Sequence, residues 1–380
     1  MLFDYGTLRV IWWALLGVLL IGFAIMDGFD LGVAMLYPFV PRSETQRRVL
    51  LNVIGPVWEG NQVWFILGGG AVFAAWPLLY AASFSGFYLA MMLVLIGLIL
   101  RPVALTFRGK IDSSAWRRSW DVAFFVSGVV PSLVFGVAFG NLLLGTPFHF
   151  DNSLRLDYEG DFLGLLNPFA LLCGAVSIVM LTMQGASFLA SKSEGEVARR
   201  ATWFGACAAL ILIALLSVAG AWVALRVDGF VVRGVVDPAG PSNPLWKSVT
   251  REVGGWLNTY RHTPSSLVAP LFAYMGAFGA AIALARGAAR IALILSSASV
   301  AGVIATAGFS LFPFLLPSSS HPDHSLTVWD ASSSPTTLML MLVATVFFLP
   351  IVLAYTSWVF HVLRGPVTEA GIERGDDYHY

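Results

Sequence analysis

Charge is scarce in this chain. Only 12% of its 380 residues are Asp, Glu, Lys or Arg, while 57% are hydrophobic; soluble domains carry about 25% charged residues. The basic and acidic residues number 22 each and cancel, so nothing in the net charge points to nucleic acid. Cysteine is nearly absent. Cys173 and Cys207 both lie in apolar runs, which gives neither a disulfide framework nor a thiolate metal cluster. Histidine is sparse inside the apolar runs: His149, His262, His321, His324 and His379 lie in loops or the tail, and His361 near the end of a run. Haem iron is held by His, Met, Cys or Tyr, so a pair of haem-ligating histidines at membrane depth is excluded. The ten methionines remain as ligands in principle but are the usual filler of apolar cores. A cleavable leader is also missing. The first apolar run outlasts the usual ~7–15 residue core, contains Asp27 and Asp30 and has no clear small-x-small cleavage site, so it is read as retained.

Long apolar runs are what the chain does have, and the mean hydropathy is +0.78. A spanning helix needs about 20 mostly apolar residues. On that measure nine segments qualify, at roughly 8–38, 50–76, 79–104, 121–145, 165–190, 203–225, 266–285, 288–316 and 336–363. The fold class expected is therefore all-α, a polytopic membrane helix bundle. Lys and Arg collect after the odd-numbered segments, at Arg42, Arg47, Arg48, Arg108, Lys110, Arg117, Arg118, Lys192, Arg199, Arg200, Arg286, Arg290 and Arg364. Basic loops stay in the cytoplasm, which puts the N-terminus outside and the C-terminus inside. The acidic loop 146–162 then lies outside. So does the long connection 226–265, with Pro238, Pro241, Pro244 and Trp246, expected as a small extracytoplasmic cap. No internal repeat is evident, so residues 1–365 read as one membrane domain and 366–380 as a polar cytoplasmic tail, disordered in part.

The chemistry concentrates between Gly22 and Trp64. Asp27 and Asp30 sit inside the first apolar run, three apart and so on one helix face. Glu59 sits inside the second, beside Asn61 and Gln62. Charged side chains at membrane depth cost several kcal/mol, about 2.5–3.5 on insertion scales, and are retained for pairing or for moving ions. At 1.5 Å per residue, Asp27 and Asp30 lie roughly 28 and 33 Å along a helix begun at Leu8, and Glu59 about 14 Å along one begun at Leu50. The three carboxyls would then form a ladder from the cytoplasmic face towards the midplane. Two readings stand. The ladder carries protons inward, or the acids pair with Arg101 and fix the packing. Asn61 and Gln62 either join helices by hydrogen bonds or orient Glu59, and Gly68 to Gly70 permit close helix approach. His321 and His324 bracket Asp323, a weak compositional hint of a surface metal site set against a solvated loop. No metal is assigned.

Taken together, several blocks resemble one family. They are LRVIWWALLGVLLIGFAIMDGFDLGV, WEGNQVWFILGGGAVFAAWPLLYAASFSGFYLAM, FGVAFGNLLLG, LLNPFALLCG, TAGFSLFPFLLPSSS and SLTVWDASSSPTTL. Spread from the N-terminus to the last apolar run, they resemble subunit II of cytochrome bd-type quinol oxidases, including the cyanide-insensitive branch. The resemblance implies a haem-free subunit of nine spans in the bacterial cytoplasmic membrane. It implies a homologously folded subunit I that carries two b-type haems and haem d (or a b-type replacement), and in some members a small single-span subunit. The complex would oxidise quinol and reduce dioxygen to water with protons taken from the cytoplasm, without pumping. The acid of the family's W-acid-G-N-Q motif belongs to a proton route. That role carries over to Glu59, where many members have Asp, one methylene shorter. Asp27 and Asp30 match the DGFD motif, and Trp64 matches a residue near an oxygen route. A structural quinone or lipid against this subunit is also implied. A proton-coupled secondary transporter using the same acids is the alternative.

Overall fold

The computed structural model describes residues 3–234 and 236–375. It is a bundle of long helices capped at one end by three short β-hairpins and at the other by two short helices. Among the described residues, eight helices are long and apolar enough to cross a membrane. They are α1 (Tyr5–Leu36), α5 (Tyr88–Phe107), α6 (Ser114–Leu144), α7 (Pro168–Lys192), α8 (Gly195–Arg226), α10 (Val268–Ala285), α11 (Ala289–Leu311) and α12 (Pro335–Val362). The all-α membrane bundle expected from the sequence is the fold observed.

The second and third apolar runs differ from expectation. Residues 50–76 are two helices: α2 (Glu44–Ile54), and α3 (Trp58–Ala75) after a turn at Gly55–Val57. The next run divides into α4 (Pro77–Gly86) and α5. Pro77 takes the first position of α4, where its missing N–H costs nothing. More polar at its start than those eight, with Glu59, Asn61 and Gln62 in its first five residues, α3 lies along α1 in antiparallel fashion. Asn61 meets Asp30 at one end, Trp64 covers Gly22 further along, and Ala71 and Ala75 share an apolar cluster with Leu8 and Trp12 at the other.

Helix starts are set by short polar side chains. Asp4, Ser113, Asn167 and Ser334 each accept a backbone N–H of the first turn of α1, α6, α7 and α12. Small residues let the helices approach. A Cβ on Gly32 of α1 would lie 2.1 Å from the Leu181 carbonyl oxygen of α7, and one on Gly185 would lie 2.4 Å from the Gly32 carbonyl carbon. Backbone contact of this kind suits membrane helices, where van der Waals packing replaces the hydrophobic drive between helices.

At the hairpin end, β1 (Phe148–Phe150) pairs with β2 (Leu156–Tyr158), β3 (Asp228–Arg233) with β4 (Ser248–Val253), and β5 (Phe314–Leu316) with β6 (Leu326–Thr327). The connection 226–265 is thus a β3–β4 hairpin followed by the short helix α9 (Asn258–His262). Trp256 anchors it, buried against Phe230 and Phe314, with its indole N–H donated to the Leu143 carbonyl at 3.0 Å. The sequence reading missed a second anchor, Arg9, which is fully buried. Its guanidinium donates to the carbonyls of Pro238 and Gly240 and the hydroxyls of Ser242 and Ser332, and lies 3.6 Å from the Tyr5 ring centroid.

At the opposite end, α2 lies beneath the bundle and meets a final helix, α13 (Glu369–Arg374), through Gln46 and Glu369 at 3.1 Å. The tail thus carries a short helix that ends on Gly375 as its C-cap. Its last five residues, His379 among them, lie outside the described residues.

Candidate functional site

The acids of the first run lie where three helices converge. Arg101, on α5, is wholly buried and forks onto Asp27 of α1, its two terminal nitrogens 2.7 and 3.2 Å from Oδ1 and Oδ2. Asp30, one turn further along α1, accepts a hydrogen bond from Asn61 Nδ2 of α3 at 2.9 Å and lies 3.9 Å from Arg101 Nη1. Its other oxygen, Oδ1, and Arg101 Nε are buried without a hydrogen-bond partner among the described residues. Two carboxyls thus face one guanidinium in a sealed pocket. The pairing with Arg101, one of the two readings of the sequence, is present at Asp27.

Glu59 departs from the expected ladder. It lies in the first turn of α3, not part-way up a continuous helix from Leu50, because the chain turns at Gly55–Val57. Its side chain is exposed and makes no hydrogen bond or ion pair among the described residues. Helix phase explains the separation. Two residues along a helix is a rotation of about 200°, so Asn61 and Glu59 occupy opposite faces. The inward face of α3 continues through Trp64, Gly68, Ala71 and Ala75, and the outward face through Val63, Ile66, Leu67, Gly70 and Phe73. Gln62 is half-buried between them.

Trp64 packs with its ring edge over Gly22, where a Cβ would come within 2.5 Å. It also lines a cleft of about 360 Å³ with Met26, Phe29, Gln184, Phe188 and Ser297. Gln184, missed in the sequence, is a buried junction. Its amide donates to Ser297 Oγ at 2.9 Å, and its carbonyl accepts from Ser296 Oγ at 2.7 Å. A polar residue on the small-residue face of a span, here beside Gly185, is the available signal for such a joint.

A second charged cluster caps the same end. Arg108, two turns beyond Arg101, grips Glu44 of α2 at 2.5 and 3.0 Å and Asp121 of α6 at 2.5 Å. Its hydrogen bonds hold the Glu44 carboxyl below the ordinary carboxylate range.

Four of the histidines lie in the caps: His149, His321 and His324 together at the hairpin end, and His262 at the end of α9. His361, exposed in the last turn of α12, meets Arg364 at 2.9 Å. Asp323 turns away from its neighbouring histidines to accept the Val249 N–H at 2.6 Å.

These features define a class, an integral membrane helix bundle with a sealed ionic cluster and one acid left facing outward. Residues 8–363 match the family described as cytochrome bd terminal oxidase subunit II, and the chain belongs to that family. It is 47% identical over 371 residues to the cytochrome bd-I ubiquinol oxidase subunit 2 of Escherichia coli K12, covering 98% of each chain. The cytochrome bd ubiquinol oxidase subunit 2 of Bacillus subtilis is 32% identical, with 96% of this chain and 98% of that one covered. A chain in the structure of bd oxidase from Geobacillus thermodenitrificans superposes with a TM-score of 0.63 at 16% identity, covering 94% of this chain and 98% of that one. That likeness carries the fold.

Proposed function

We propose that this chain is the haem-free second subunit of a bd-type quinol:oxygen oxidoreductase in the bacterial cytoplasmic membrane. It joins a haem-bearing subunit I, which would hold two b-type haems and haem d or its b-type replacement, and it shapes a proton route to that partner. The relatives' names, all subunits of cytochrome oxidases, support the complex. The placement of the described histidines in caps and at a helix end supports a chain without its own haem ligands. The family match does not favour the transporter alternative.

The observation that carries the proton route is Glu59 itself. It is an unpartnered carboxyl on an outward stripe of otherwise apolar residues. A charge facing lipid costs several kcal/mol, about 2.5–3.5 or more. That stripe therefore belongs against the partner subunit or a water-filled gap at the partner boundary, where Glu59 can pass protons across. Asp27 is a structural group, neutralised by Arg101. Asp30 completes the pocket, and with one more carboxyl than cation the cluster has room for one exchangeable proton. With α3 counted beside the eight helices as a ninth span, and with the basic loops and the C-terminus in the cytoplasm, both acid sites would lie on the proton-uptake side. The cleft at Trp64 has apolar walls suited to an isoprenoid or acyl chain, or to the passage of dioxygen.

The test is Glu59→Gln in the co-purified complex. Oxygen consumption with quinol falls at least tenfold while the haem spectrum and subunit ratio stay unchanged, and Glu59→Asp restores most of the rate. Full turnover in an intact Glu59→Gln complex would remove the proton route.

A further inference from the structure

We propose that His149, Glu159 and His321 form a divalent transition-metal site, of the Zn²⁺ class, that staples two loops at the hairpin end. His149 lies on β1 and Glu159 directly follows β2, so the hairpin brings them side by side, with Nδ1 and Oε1 2.8 Å apart. His321 comes from the loop between β5 and β6, and its ring centroid is 4.8 Å from that of His149. One ligand atom from each of the three residues lies within 4.8 Å of the others. On a tetrahedral ion with bonds of about 2.1 Å, ligand atoms lie about 3.4 Å apart. The remaining closure is within reach of side-chain rotation, because His149 is partly exposed and Glu159 and His321 are exposed.

The backbone beneath is already fixed. The Ser318 hydroxyl accepts the His321 N–H at 3.1 Å and donates to the Phe148 carbonyl, and Thr146 bridges to Ser318. His324 stacks on His321 with centroids 5.2 Å apart, but its Nδ1 accepts the Phe150 N–H at 3.0 Å. Neutral His324 therefore carries its proton on Nε2 and has no free lone pair. It positions His321 and leaves the fourth metal position to water. Two imidazoles and one carboxylate suit Zn²⁺, Cu²⁺ or Ni²⁺ over Mg²⁺ or Ca²⁺. The ion would tie the β1–β2 loop to the β5–β6 loop, and thereby the end of α6 to the start of α12.

The experiment uses the purified full-length protein in the complex with which it co-purifies, stripped with a chelator and titrated with Zn²⁺ by calorimetry. Metal content after desalting and the melting temperature with and without Zn²⁺ are measured alongside. One Zn²⁺ per copy of this chain is expected, with a melting temperature raised by the ion. His149→Ala, Glu159→Gln and His321→Ala each weaken binding at least tenfold, His324→Ala weakens it less, and His262→Ala leaves it unchanged. If an alanine variant does not fold, Glu159→Gln and His321→Asn carry the test. Binding that is absent in the wild type, or equal in the wild type and these variants, would reduce the cluster to a surface ion pair and overturn the proposal.

Discussion

Arg101 lies in the C-terminal third of α5 and Arg108, seven residues on, caps that helix; each meets two carboxyls. Their surroundings differ. Arg101, Asp27 and Asp30 have no exposure at all. Arg108 is 5% exposed, but its partner Glu44 is 44% exposed. A pair sealed from water contributes little net stability yet is costly to break, because removing one partner strands the other as a buried charge. A pair with one foot in water is screened, and either partner can be rehydrated. The same ion-pair chemistry thus yields a constraint in one place and a modest tether in the other.

The largest effect is therefore expected inside. Asp27→Asn should destabilise the protein by about 3–5 kcal/mol, seen as a fall in melting temperature or loss of assembled complex. The triple variant Asp27→Leu, Asp30→Asn and Arg101→Met sharpens the comparison, since replacing every charge of the cluster with a neutral group should recover most of the loss. An unaffected Asp27→Asn protein would show that Arg101 is satisfied elsewhere. Next in size is Gly32→Ala, where the added methyl meets the Leu181 carbonyl and α1 must part from α7. Overpacking of this kind costs about 1–3 kcal/mol, and thermal melts of the purified protein would register it.

The outer pair should respond least. Glu44→Gln should cost under about 1 kcal/mol near neutral pH, discounted for the exposure of the carboxylate. Its pH dependence has a definite sign. Arg108 lowers the folded-state value for Glu44 below the ordinary 4.5, so its stabilisation is present above pH 4.5 and is lost as pH falls through the folded value. The difference in melting temperature between wild type and Glu44→Gln should persist near neutrality and close in acid. A difference that grew as pH fell would reverse the assignment.

Much of the candidate site was legible because charge at membrane depth is rare. Asp27, Asp30, Glu59 and Arg101 stand out by type alone, and the depth of Arg101 marks it as a partner for the acids. The ladder failed on helix phase. α3 is apolar on both faces, Trp64 and Ala71 inward and Ile66 and Phe73 outward. In lipid the outer face is as apolar as the core, so hydrophobic periodicity does not say which way Glu59 points. The turn at Gly55–Val57 was hidden for a related reason. Val53, Ile54 and Val57 keep the run apolar across the break, and hydropathy outweighed the one stop signal present, Gly55 followed by Pro56, where α2 ends.

Composition and apolar run length by themselves determined that this chain is a membrane helix bundle, because a backbone in hydrocarbon must satisfy its own hydrogen bonds and helices do so locally. The motif blocks determined its family. Tertiary structure alone decided which acids share a pocket, that Arg9 locks the hairpin cap, and that His321 meets His149 and Glu159 while Asp323 does not. Those outcomes depend on helix rotation and on loops distant in sequence meeting at one end of the bundle, and neither leaves a periodic trace in the chain.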